Sequence, residues 1–175
     1  IGDLVGAQVY WSGGPIWYHK QPRWDDMEAQ IKNWYHFTWL CGDNIVEQHV
    51  HNLDVANWAF GTHPVRAVGM GGRAVPMSDF SQKFDHFAID YEWPNGVHVA
   101  SYCRQSPGCE NNVSETLVGS KGMWHSGGYR FTVGGESSSA RVRNEVNPYV
   151  QEHIDLLDAI VNNKPINELK NVAES

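Results

Sequence analysis

Hydrophobic and polar positions change period twice along the chain, and the changes mark its elements. Leu4 to Trp11 (LVGAQVYW) is rich in β-formers and ends at Ser12-Gly13-Gly14-Pro15, which predicts a first strand. Residues 12–25 then predict a long loop carrying Trp17, Tyr18, His19 and Trp24, and long aromatic loops often form functional rims. Asp25 and Glu28 stand at capping-box spacing, so a short helix is expected from Asp26 to about Tyr35. In GDNIVEQHVHNLDVANW (Gly42 to Trp58), Val46, Val50, Leu53 and Val55 are interleaved with polar groups at helical spacing. A second helix is expected there, from about Asn44 to Phe60.

After His63-Pro64 the period shortens to two. Val65–Met70 reads as a strand broken by Gly71-Gly72, and Phe84–Trp93 and Val97–Gln105 flank the hairpin turn Pro94-Asn95-Gly96. Asn112–Val118 and Met123–Ser126 flank Gly119-Ser120-Lys121-Gly122, and Tyr129–Val133 is a further short strand. Helical spacing returns at Val150, Ile154, Leu157 and Val161, opened by the cap Asn147-Pro148 and closed by Asn162-Asn163-Lys164-Pro165. Strands in the middle with helices before and after predict an α+β fold, an open, mostly antiparallel β-sheet with helices packed on one face.

Composition narrows the partners. At 175 residues the chain suits one domain, burying about 70% of its unfolded surface. Aromatic residues make up 12%, and their flat faces suit stacking on sugar rings or nicotinamides as well as core filling. A net charge of −7 with no basic block gives nucleic-acid binding no electrostatic support. No apolar run approaches the length of a membrane span. Cys41, Cys103 and Cys109 include no C-x-x-C pair, so reduced thiols are expected, with a Cys103–Cys109 bridge as the alternative. Ile1 opens inside a strand-like run and Ser175 falls within what reads as a helix beginning (NELKNVAES). Residues 1–175 are therefore expected to be a single domain of a longer protein.

The second helix also holds the densest chemistry. Glu47, His49, His51 and Asp54 lie close together in sequence, and on a helix Glu47, His51 and Asp54 share one face. A carboxylate stacked on an imidazole can move protons near neutral pH, although such pairs also occur on plain solvated faces. On a strand, period two would instead point Glu47, His49 and His51 to one side, the pattern of a cupin-like metal-binding β-domain for zinc, iron or manganese. Against the strand, Asp54 follows too closely for the usual cupin glutamate, and VHNLDVANWAF continues with helical burial. A helix turns His49 about 200° from His51, so no metal is expected on that pair.

Read in order, IGDLVGAQVYW, GDNIVEQHVHNLDVANW, HPVRAVGMGGR, WPNG, GSKG and EHIDLLDAIVNNKPINE resemble the C-terminal domain of Gfo/Idh/MocA oxidoreductases. That family includes glucose–fructose oxidoreductase and inositol dehydrogenase. The most specific part is His51-Asn52-Leu53-Asp54 with an acidic residue four positions before the histidine. The resemblance implies an N-terminal Rossmann domain that binds NAD or NADP, joined to this substrate-binding and oligomerisation domain. It implies Glu47 and His51 as the catalytic pair, with Glu47 standing where many relatives have aspartate. Asp54 would orient the helix or the substrate hydroxyls, and Tyr10, Ser12, Trp34 and Tyr35 would line the substrate pocket. The implied substrate is a sugar, polyol or related secondary alcohol, and the implied assembly is a homo-oligomer formed through the β-sheet. Some relatives instead cleave glycosides through a transient oxidation, and neither cytoplasm nor periplasm is singled out. No G-x-G-x-x-G occurs, so residues 1–175 alone are expected neither to bind a dinucleotide nor to turn over.

Overall fold

The computed structural model describes residues 1–74, 80–141 and 146–175. Among these residues the sheet has eight strands: β1 (Leu4–Gly13), β2 (Arg66–Gly72), β3 (His86–Glu92), β4 (His98–Gln105), β5 (Asn112–Gly119), β6 (Gly122–His125), β7 (Arg130–Val133) and β8 (Glu136–Ser139). They lie in the order β2-β3-β4-β1-β5-β6-β7-β8. The β1–β4 pair is parallel and the other neighbours are antiparallel. The α+β architecture expected from the sequence is present.

Two details differ from the expected strands. Gly71 and Gly72 continue β2 instead of breaking it. A Cβ on Gly71 would stand 2.7 Å from the Phe87 ring of β3, so the missing side chain is what lets the edge strand lie against its neighbour. β8 is an additional strand that shows no apolar alternation; Gly134-Gly135, both at positive φ, turn β7 into it as a two-residue hairpin. Cys103 is buried and Cys109 exposed, and both are free thiols.

Six helices of the described residues accompany the sheet: α1 (Asp26–Lys32), α2 (Thr38–Cys41), α3 (Asn44–Glu47), α4 (Val50–Phe60), α5 (Pro148–Val161) and α6 (Leu169–Glu174). Asp25 caps α1 by accepting from the Glu28 amide, as its spacing suggests. The helix stops at Lys32 because Asn33 turns its side chain back to Ala29 O and also bonds His19 through both backbone groups. Trp34–His36 continue as one 3-10 turn.

The core lies between α4 and the centre of the sheet. Ala7, Val9, Ala56, Trp93 and Val99 are buried, with Leu53, Phe60, Tyr91 and Leu117 packed around them. Ala56 presents only a methyl group to the sheet, and Phe60 packs on Trp93 with ring centroids 4.9 Å apart. Ala7 and Val9 point toward α4, so Gln8, Tyr10 and Ser12 project from the opposite, open face. There Tyr10 stacks on Tyr102 of β4, its registered partner, at 5.3 Å.

A single helix from Asn44 to Phe60 was the expectation, and the chain departs from it. Gly42 and Asp43 both take positive φ, turning the chain sharply from α2 into α3. After Glu47 the His49 amide reaches the carbonyl of Asn44, five residues back, before α4 begins at Val50. This π-like step inserts one residue into the turn and rotates α4 by about 100° relative to α3. Residues 45–52 are nonetheless helical turns and not a strand, which removes the cupin reading.

Candidate functional site

Glu47 ends α3 and His51 lies in the first turn of α4, on either side of the π-like step. Glu47 is half-buried and accepts from Gln48 Nε2 at 2.6 Å, and its charge acts on the buried Tyr35 phenol. His51 stays exposed on α4. A helical face shared by Glu47, His51 and Asp54 was expected; the structure keeps His51 with Asp54 and places Glu47 over a different neighbourhood.

His51, Asp54 and Trp58 lie three and four residues apart along the outer side of α4. They line an open groove of about 520 Å³ against Asn171 and Val172 of α6 and Glu168 just before it. Asp54 Oδ1 accepts from the Ser175 hydroxyl at 2.6 Å, which ties the far wall to α4. Trp58 is 84% exposed, a flat indole at the groove. An imidazole, a carboxylate and an indole in one open groove can bind a polyhydroxylated ring and exchange a proton with it.

The histidine that is locked in place is His49, which sequence spacing cast as the residue facing away. It is 0% exposed, with Nε2 2.6 Å from Ser101 Oγ and Nδ1 3.2 Å from Asn52 Oδ1. Asn52 donates through Nδ2 to Glu115, so its oxygen faces His49. Nδ1 therefore carries the proton and Nε2 accepts from the serine hydroxyl. Burial pushes the His49 pKa down to about 4, against a smaller opposing effect of Asn52. Ser, His and Asn at these distances resemble a nucleophile with its base, yet all three are sealed in the core. Their role here is to pin α4 to β4 and, through Glu115, to β5.

Beneath Glu47 lies a second polar pocket. Tyr35 is 2% exposed; its hydroxyl receives Gln105 Nε2 at 3.0 Å and stands 3.3 Å from Asn44 Oδ1. Burial first, then Glu47, raises the phenol far above its ordinary value, so it remains a hydrogen-bond donor throughout the physiological range. Asn44 Nδ2 also bonds Cys103 Sγ, and burial pushes that thiol up to about 12. Asp43, held at φ +89, uses its carboxylate to accept from the Asn44 amide at 2.6 Å and the Phe84 amide at 3.0 Å. Lys83 completes the pocket. No sequence signal marked it, because Ser81, Lys83 and Asp85 alternate as an outward-facing strand face does, yet all three are buried.

The other sequence candidates scatter. Trp34 is half-exposed and packs edge-on to Trp17 of the aromatic loop, as well as to Tyr35. Tyr10 and Ser12 lie on the open face of the sheet, away from the helices that carry Glu47 and His51. A pocket that joins them to Glu47 inside one copy of this domain is therefore not formed; the cause is the strand's alternation, which assigns them to the face opposite Val9. Among the described residues no three His, Cys, Asp or Glu side chains cluster as a metal site. No helix among them is long and apolar enough to cross a membrane.

No family model and no curated protein matches the chain. Solved structures do, and they show that it has the fold of the C-terminal domain of Gfo/Idh/MocA oxidoreductases. Aldose–aldose oxidoreductase from Caulobacter crescentus, complexed with glycerol, superposes with a TM-score of 0.70 at 16% identity, over 99% of this chain and 50% of that one. Myo-inositol 2-dehydrogenase from Lactobacillus plantarum gives 0.62 at 18%, over 99% and 52%. Biliverdin reductase from Synechocystis sp. PCC 6803, in complex with biliverdin and NADP+, gives 0.70 at 15%, over 98% and 52%. The chain thus spans about half the length of the structures it matches.

Proposed function

We propose that this chain is the substrate-binding and oligomerisation domain of an NAD(P)-dependent oxidoreductase that acts on a sugar, a polyol or a related secondary alcohol. The observation that carries the reading is the α4 groove, where His51, Asp54 and the exposed Trp58 line one open site in a fold shared with polyol and aldose oxidoreductases. These residues do not fit a dinucleotide. Among the described residues the sheet lacks a Gly-rich strand-to-helix turn and has a single parallel pair, so the nucleotide belongs to a separate domain of the whole protein. Such a domain has a surface to cover: Ile154, Leu157, Ile160 and Val161 of α5 are all exposed.

Oxidising a secondary alcohol removes a hydride and a proton, and this chain's part is the proton. His51 takes it from the substrate hydroxyl, Asp54 accepts a neighbouring hydroxyl, and Trp58 stacks on the apolar face of the ring. The open sheet face bearing Tyr10 and Tyr102 is the surface for self-association. In the whole protein, His51→Ala should lower turnover of a cognate alcohol by roughly 10²–10⁴-fold while nucleotide affinity stays unchanged. An unchanged rate from pH 6 to 9 would remove His51 from the chemistry.

A further inference from the structure

The groove between α4 and α6 carries a charge pattern that the proton transfer just described leaves unused. Asp54 stands on one wall, and Glu168 and Glu174 on the other, at the two ends of α6. Among the described residues no lysine or arginine lines the groove. Asp54 Oδ1 accepts from the Ser175 hydroxyl, and Glu168 Oε2 accepts from Asn171 Nδ2 at 2.8 Å. Both partners are neutral, and neither carboxylate has a basic side chain within ion-pair distance among the described residues. Glu174 meets Lys170 Nζ at 3.8 Å, an exposed pair one helical turn apart that solvent weakens.

Negative charge thus faces the groove from both sides, and the kind of cation that would balance it is restricted. Among the described residues no three acidic, histidine or cysteine side chains converge as metal ligands do. The remaining wall is the indole of Trp58, 84% exposed, whose face attracts an organic ammonium and gives a hydrated metal ion little. A phosphate would meet carboxylates on either side and no guanidinium or ammonium to hold it. The first amide of α6, at Leu169, is already given to Asn167 Oδ1.

We propose that this groove selects a polyol carrying a protonated amine, an amino sugar or aminocyclitol, and turns away phosphorylated and nucleotide-linked sugars. The ammonium lies in the space lined by Asp54, Glu168 and the face of Trp58, while the ring hydroxyls remain for His51. The proposal rests on the proposed function in taking this groove as the substrate site. An exposed carboxylate pair and an indole contact together amount to about tenfold in affinity for the amine over its hydroxyl counterpart.

The test uses the whole protein labelled with 5-fluorotryptophan, in which the ¹⁹F signal of Trp58 is assigned by its loss in Trp58→Phe. Glucosamine, glucose and glucose 6-phosphate are titrated at pH 6.5, where the amine is protonated. Glucosamine should move the Trp58 signal with a Kd about tenfold below that of glucose, and glucose 6-phosphate should bind more weakly than either. Glu168→Gln, an exposed substitution, should narrow the gap between glucosamine and glucose, and so should 0.5 M NaCl. Glucose binding as tightly as glucosamine, glucose 6-phosphate binding best, or a gap untouched by Glu168→Gln overturns the amine selection and leaves the groove a sugar site. A Trp58 signal unmoved by all three overturns the groove and the selection together, so the two failures are told apart.

Discussion

At the scale of single residues, His49 makes the protein sensitive to acid. A histidine in the unfolded chain titrates near 6.5, while the buried ring titrates at about 4, so the folded state favours the neutral form. Protonating Nε2 would leave the Ser101 hydroxyl without its acceptor inside the core. The associated stability is fully present above pH 6.5 and is lost progressively as pH falls from 6.5 toward 4, by roughly 3 kcal/mol. Urea unfolding at pH 7.5 and 4.5 should show that loss, and His49→Gln should shrink it. An equal loss in the variant would assign the pH dependence to other groups. Trp93 is the other decisive single side chain, 1% exposed with its indole N–H given to Thr62 O at 2.9 Å. Trp93→Ala should cost about 3–5 kcal/mol in the same measurement.

At the scale of elements, Gly42 sets the entry into α3. With φ at +74 and Val46 Cγ1 3.1 Å from where a Cβ would lie, Gly42→Ala should destabilise the fold by about 1–2 kcal/mol in chemical denaturation. An unchanged midpoint would mean that the turn relaxes freely. The strands were legible because alternation and turn chemistry agree. The Pro94-Asn95-Gly96 hairpin and the Asn147-Pro148 cap appear where the sequence puts them. The joint between α3 and α4 was not legible. Four-then-three spacing assumes an uninterrupted helix, and the insertion at Gln48-His49 answers to a buried hydrogen bond with Ser101, fifty-two positions away. Lys83 was hidden for the same kind of reason: a polar residue at period two normally marks a solvated face, and only tertiary packing reverses it. Glu47 and His51 stand out in the sequence, but the break between the turns that carry them does not.

At the scale of the whole molecule, stability is unevenly spread. α4 is packed against β1 and β5, whereas Ala159 is the one buried residue of α5. In this chain by itself, α5 amides should exchange with deuterium far faster than those of β1 and β4. Equal protection would show that α5 is packed against a partner, such as a second copy. The parallel pairing of β1 with β4 has a further consequence, in time instead of space. β1 precedes the other strands of this sheet in sequence, but its partner begins roughly ninety residues later, Ala7 meeting Val99 and then Leu117 of β5. At about 5–20 residues per second, a ribosome leaves that apolar strand with two bare edges for roughly 5–20 s. Contacts this distant in sequence also place refolding toward the slow end, in milliseconds to seconds. During synthesis the centre of the finished sheet is thus an adhesive segment of the nascent chain, and its safe folding depends on how soon β4 and β5 emerge.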